Sequence, residues 1–99
     1  MEQRDRPLRL DKFLYFVRFA KSRAKAVALI EAGHTRIDGR PVAGIRDDVR
    51  ISQTITMAIG NNIRAIRVLA IPSRRGPAPE AQACYEDLIA PEPIDAGGR

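Results

Sequence analysis

The first regular pattern in the chain is helical. Leu10, Phe13, Leu14 and Val17 fall at i, i+3, i+4 and i+7, the stripe that a helix turns toward a core. The spacing predicts a first helix over residues 10–20, with Phe13 and Leu14 in the core. Asp11 stands in its first turn, where the helix dipole favours an acid. It reads as a helix-end charge or a partner for a nearby arginine, not as a catalytic acid. Lys12, Tyr15 and Arg18 fall off the stripe. Phe19 lies nearly opposite it, so it is either buried where the chain turns into the next helix or an exposed stacking platform. No second aromatic interleaves with the basic residues, which favours burial.

A second helix is predicted after Ser22, whose hydroxyl suits an N-cap. Ala26, Leu29 and Ile30 form its apolar face, and Gly33 is placed to end it in a left-handed conformation. Few residues separate the two helices, so they should pack as a tight pair. The period then changes to two. Residues 35–42 read as a hairpin turning at Asp38-Gly39, because both central residues of a type I′ turn need positive φ. Val49, Ile51, Ile55, Met57 and Ile59 share one parity, which predicts a half-buried strand. Gly60-Asn61-Asn62 reads as a turn and residues 63–71 as a further strand. Arg64 shares the parity of the buried set Ile66, Val68 and Ala70. Either a bulge intervenes or Arg64 sits at the strand's exposed end.

Beyond Pro72 the pattern weakens. Residues 73–77 form a basic loop, Pro79 is suited to start a short helix through Leu88, and the last eleven residues read as disordered. The fold class is therefore α+β: two packed helices against a small, mostly antiparallel sheet, with a short C-terminal helix and tail. Residues 1–8 read as a mobile lead-in, 9–72 as the folded body and 73–99 as an appendage.

Composition narrows the class. The 99 residues fit one domain. The longest apolar runs, Phe13–Val17 and Ala26–Ile30, span five residues each, against the roughly 20 that a membrane helix needs. The charged N-terminus leads into no signal-type apolar core. A single cysteine excludes an intramolecular disulfide and a multi-cysteine zinc site, so the expected location is the reducing cytoplasm.

The charge of +5 is unevenly spread. Residues 1–75 hold 16 Lys/Arg against 7 Asp/Glu, and residues 76–99 hold 1 against 5. Of the 17 basic residues, 14 are arginine, the side chain that grips phosphate with two parallel N–H bonds and stacks on bases. That balance favours a polyanion as partner, nucleic acid first. No phosphate-cradling glycine loop, metal-ligand set or nucleophile motif appears. His34 has no paired ligand at metal spacing, and Cys84 reads as an inert thiol. No enzymatic activity, cofactor, metal or small-molecule substrate is expected.

The cations fall at three places. Arg9 and Lys12 open the first helix. Lys21, Arg23 and Lys25 surround the start of the second, where free N–H groups and the dipole already attract phosphate. Arg36 and Arg40 flank the hairpin turn. With Arg18 and the Ser22 hydroxyl, these side chains form a candidate phosphate-binding surface. Arg74 and Arg75 read equally well as further phosphate contacts or as a wet loop.

The same segment, residues 9–42, resembles the S4 RNA-binding domain. The resemblance runs through Arg9-Leu10-Asp11-Lys12-x-Leu14, Arg18-Phe19, Ser22-Arg23, Ala26, Leu29-Ile30, Gly33 and Ile37-Asp38-Gly39-x-x-Val42. It implies an αL-type motif whose helix pair lies along the backbone of structured RNA, with Arg9, Lys12, Arg18, Ser22, Arg23, Lys25, Arg36 and Arg40 as RNA contacts. A-form RNA suits such a surface, because its major groove is too narrow for side chains to read. The later strands and Arg74-Arg75-Gly76-Pro77 resemble the heat-shock-protein-15 group of stand-alone S4 proteins. That group implies ribosomal RNA of the large subunit as partner and a role in ribosome recycling under stress. Three departures stand out. Asp38 replaces the group's usual asparagine, Ser52-Gln53 replaces a Gly-Asp pair, and Phe13 and Tyr15 stand where a tryptophan is frequent.

Three other readings compete. A modifying enzyme needs a catalytic domain, and the 57 residues after Val42 hold no catalytic constellation. A DNA-binding regulator would carry similar charge. A protein-interaction adaptor would use the acidic C-terminal segment.

Overall fold

The computed structural model describes residues 6–93, with side chains described through residue 88. A two-residue strand, β1 (Leu8–Arg9), leads directly into α1 (Leu10–Phe16). β1 pairs antiparallel with β4 (Asp48–Val49), Leu8 opposite Val49 and Arg9 opposite Asp48. Leu8, read from sequence as lead-in, is thus tied to the body of the fold; residues 1–5 lie outside the described residues. α2 (Arg23–Glu31) packs against α1. The hairpin β2 (Arg36–Ile37) and β3 (Arg40–Pro41) follows. β5 (Thr54–Ile59), β6 (Asn62–Val68) and β7 (Tyr85–Pro93) complete an antiparallel sheet of order β3-β2-β5-β6-β7. A single turn of helix, α3 (Ala78–Gln82), precedes β7.

The predicted stripe is the core. Leu10, Phe13, Leu14 and Val17 are buried, and they meet Ala26 and Ile30 of α2 and Ile37, Val49, Ile55, Met57, Ile66 and Val68 of the strands. Each fully buried side chain of this size contributes about 1.5–3 kcal/mol. The α+β class and the helix pair against a sheet stand as read.

Several boundaries differ, each for a local reason. The first helix was expected to reach residue 20 but stops at Phe16. Arg18 takes φ 71°. Its N–H donates to the Tyr15 carbonyl, and the Phe19 N–H donates to the Leu14 carbonyl. This is a Schellman closure, with arginine in the position that glycine usually holds.

The strand expected across 49–59 is broken in two. Ser52 at φ 80° turns the chain, the Gln53 side-chain oxygen accepts from the Arg50 N–H at 2.8 Å, and β5 starts only at Thr54. Ser52 holds the left-handed position where the resemblance leads one to expect glycine. The strand expected over 63–71 runs over 62–68 instead. Its two-residue turn, Gly60-Asn61, has Gly60 at φ 62°, as a type II′ hairpin requires. The register with β7 shifts on both sides of Ala65, so the bulge reading of Arg64 holds.

The largest correction is at the C-terminal end. The short helix ends at Gln82, not Leu88, and Tyr85–Pro93 is a strand on the edge of the sheet. Residues 89–93, expected to be disordered, belong to β7; residues 94–99 lie outside the described residues. The segment is therefore part of the sheet, not an appendage to it.

Candidate nucleic-acid interface

Asp11 organises the start of the helix pair. Its side chain is 1% exposed. Arg9 reaches it side-on, Nε to Oδ1 at 3.0 Å and Nη2 to Oδ2 at 2.9 Å. Arg23, the first residue of α2, donates Nη2 to the same Oδ2 at 3.0 Å. The Lys12 backbone N–H donates to Oδ1. Burial alone pushes the Asp11 carboxyl upward. The hydrogen bonds and charges of Arg9 and Arg23 outweigh that, and the net result lies below the usual carboxylate range. Asp11 is the partner of two arginines, more deeply buried than a helix-end charge would be.

Ser22 caps α2 as expected: its hydroxyl oxygen accepts from the Lys25 N–H at 3.0 Å. The hydroxyl proton is left to donate elsewhere. Gly33, at φ 91°, closes the other end of α2. Lys12 is half-buried, while Arg23, Lys25, Arg36 and Arg40 are exposed. Arg36 and Arg40 flank a turn with Asp38 at φ 52° and Gly39 at φ 82°, the type I′ geometry the dipeptide predicts. Asp38 has a structural task besides. Its Oδ1 accepts from the Thr54 N–H at 3.0 Å, and its own N–H donates to the Thr54 carbonyl at 2.8 Å. The hairpin is thereby stitched to β5.

The candidate residues do not all gather. Arg9 and Arg23 meet over Asp11. Arg40 borders a concavity of about 220 Å³ with Arg50, Asp47 and Asp48, and Asp48 is the register partner of Arg9. Arg50 has no feature in the sequence that separates it from any other surface arginine; only the β1–β4 pairing brings its neighbourhood to Arg9. Arg36 lines a different concavity with His34, Thr56 and Ile63.

Arg18 stands apart, at the far end of α1, where its Nε donates to the Gly76 carbonyl at 2.7 Å. Arg75 is neither a wet loop residue nor a free cation. Its Nη1 donates to the Tyr15 carbonyl at 2.6 Å and the Ala20 carbonyl at 3.0 Å, and its guanidinium lies 4.4 Å from the centre of the Tyr15 ring. Arg74 pairs with Glu80. Phe19 is half-buried and packs on Tyr85 with ring centres 4.8 Å apart, beneath Arg64. Arg64 in turn pairs with Asp87. The Cys84 thiol is buried, and burial raises its pKa. Among the described residues no group of three or more metal-ligating side chains forms, and no helix is long and apolar enough to cross a membrane.

A helix pair whose second member is capped by Ser22, a type I′ hairpin and arginines posted at the helix starts define an S4-domain protein, and residues 8–55 match the S4 domain family. Heat shock protein 15 of Escherichia coli K12 is 39% identical over 80 residues, 81% of this chain and 59% of that protein. The heat shock protein 15 homologue of Haemophilus influenzae is 32% identical over 84% of this chain and 63% of its own length. The trimeric heat shock protein 15 of Vibrio cholerae superposes with a TM-score of 0.77 at 34% identity, over 83% of this chain and 82% of that one. The chain belongs to the heat-shock-protein-15 family of S4-domain proteins. It spans about three fifths of the length of the curated relatives named here.

Proposed function

We propose that this protein is a non-enzymatic binder of structured RNA, acting in the cytoplasm on ribosomal RNA of the large subunit and serving ribosome recycling under stress. The observation that carries the reading is the pair of half-exposed arginines held at the start of the helix pair, Arg9 at 37% and Arg23 at 44% exposure, beside a carboxylate withdrawn from solvent. Lys12, Lys25, Arg36 and Arg40 add further cations on α1, α2 and the hairpin, and the Ser22 hydroxyl keeps a proton to donate. Arg18 contributes less, because its Nε is spent on Gly76. Kinship with heat shock protein 15 supports a role under stress.

Such a surface reads backbone shape and charge, not base edges. With about five phosphates neutralised, log K falls with log salt at a slope of roughly −4. The test is crosslinking in cell extract followed by sequencing of the bound RNA, with a competition between A-form RNA and B-DNA at moderate salt. Enrichment of large-subunit ribosomal RNA and preference for the RNA duplex are expected. Tighter binding to the DNA would replace this reading with that of a DNA-binding regulator.

A further inference from the structure

We propose that Asp11 is a positioning residue that sets Arg9 and Arg23 as the two jaws of a grip for a single backbone phosphate. This rests on the RNA-binding reading and adds to it a specific geometry. Both Nη2 atoms bond the same oxygen, Asp11 Oδ2, at 2.9 and 3.0 Å. The two nitrogens therefore lie within about 6 Å of each other, twice one hydrogen-bond length. Two guanidinium groups that close on one carboxylate oxygen are near enough to close on one phosphate from their other edges.

The donors for that second grip remain. A guanidinium has five N–H bonds. Arg9 spends its Nε and one Nη2 proton on Asp11, and Arg23 spends one Nη2 proton. Both Nη1 groups have no hydrogen bond among the described residues. The exposures point the same way. The anion is withdrawn and the cations are offered, so a phosphate approaching from solvent meets arginine first. The chain also places the three residues for this purpose. Arg9 lies in β1, Asp11 in the first turn of α1, and Arg23 opens α2, so the carboxylate ties a strand to the starts of both helices. Without it, two long, flexible side chains would have to be ordered at the moment of binding.

The proposal separates from plain electrostatics by sign. Asp11→Asn adds one unit of positive charge, so simple attraction makes RNA bind tighter; loss of positioning makes it bind more weakly. The experiment measures affinity for a structured RNA duplex at fixed moderate salt, and its salt slope, for the full chain and for Asp11→Asn, Arg9→Ala, Arg23→Ala, the Arg9→Ala/Arg23→Ala double variant and Arg9→Lys/Arg23→Lys. We expect a five- to tenfold loss for Asp11→Asn. The double alanine variant should bind little worse than either single variant, with the slope shallower by roughly 0.9, one phosphate's worth.

The lysine pair keeps both charges and leaves Asp11 in place but removes the planar forks. A several-fold loss there tests the grip even where Asp11→Asn fails to fold. Unchanged or tighter binding by a folded Asp11→Asn overturns the proposal. So do additive losses with a slope change near two phosphates, or a lysine pair that binds as well as the parent. A parent protein that does not bind the duplex overturns the RNA reading itself, which is a separate outcome.

Discussion

Replacing Arg75 with alanine isolates a contact that holds the far end of α1. Its Nη1 bonds two backbone carbonyls, those of Tyr15 and Ala20, and its guanidinium covers the Tyr15 ring. The Tyr15 carbonyl keeps a second donor, the Arg18 N–H, so its loss is partial. The Ala20 carbonyl has no backbone donor among the described residues and must turn to water. A hydrogen bond to a charged group contributes about 1.5–3 kcal/mol, and a partly exposed cation–π contact about 0.5–1 kcal/mol. Allowing for water at this half-buried position, Arg75→Ala should cost about 2 kcal/mol. For a domain of this size that corresponds to a fall in Tm of roughly 8–16 °C.

Urea unfolding monitored by circular dichroism gives the number directly, and an unchanged m-value would show that the loss lies in the native state. Arg75→Lys should recover about half, since an ammonium can reach a carbonyl but lacks the planar fork. The RNA salt slope should not change, because Nη1 of Arg75 is spent on the protein's own backbone and its guanidinium lies against the Tyr15 ring. A loss under about 0.5 kcal/mol, the range of an ordinary surface substitution, would refute the clamp. A slope shallower by roughly 0.9 would instead make Arg75 a phosphate contact.

Three further outcomes follow from particular residues. Ser52→Gly should stabilise the fold by about 0.5–1 kcal/mol, because φ 80° costs an L-residue roughly 1–2 kcal/mol and glycine gives back part of that in chain entropy; thermal unfolding reads it, and a destabilised variant contradicts it. Asp38→Asn keeps an oxygen for the Thr54 N–H and tolerates positive φ, so stability should move by less than about 0.5 kcal/mol, while removal of a negative charge from the hairpin should tighten RNA binding about twofold. Asp11 titrates below its ordinary value of 3.8, so the folded state favours its charged form. The stability it contributes is complete above that ordinary value and drains away as pH falls through the lowered native value. Acid unfolding should therefore show the parent's advantage over Asp11→Asn at neutral pH shrinking below about pH 4; a constant gap contradicts the pairing.

What was legible in the sequence was what local chemistry decides. The α1 stripe, the Ser22 cap, the Gly33 closure and the Asp38-Gly39 turn each depend on residues within a few positions of one another. The misread boundaries depend on exceptions or on distant partners. Arg18 in a left-handed position ends α1 without the glycine that would have announced it. Ser52 breaks a run of uniform parity in the same way. β7 is a strand because β6 offers it an edge, although Pro79 to Leu88 suits a helix locally. The arginines divide by the same rule. Arg9 and Arg23 are recognisable from their place at element starts. Arg18 and Arg75 reach partners 58 and 55–60 residues away in the chain, and no local pattern separates a clamp of that kind from a phosphate contact.

The central proposal is that the arginines at the helix starts and at the hairpin all contact structured RNA. Its most direct test is the affinity of Arg9→Ala/Arg23→Ala/Arg36→Ala for structured RNA across a salt series, with folding verified by circular dichroism. Binding should be weaker at every salt concentration, by at least tenfold at moderate salt, with a slope clearly shallower than the parent's value of roughly −4. A folded triple variant with the parent's affinity and slope would contradict it.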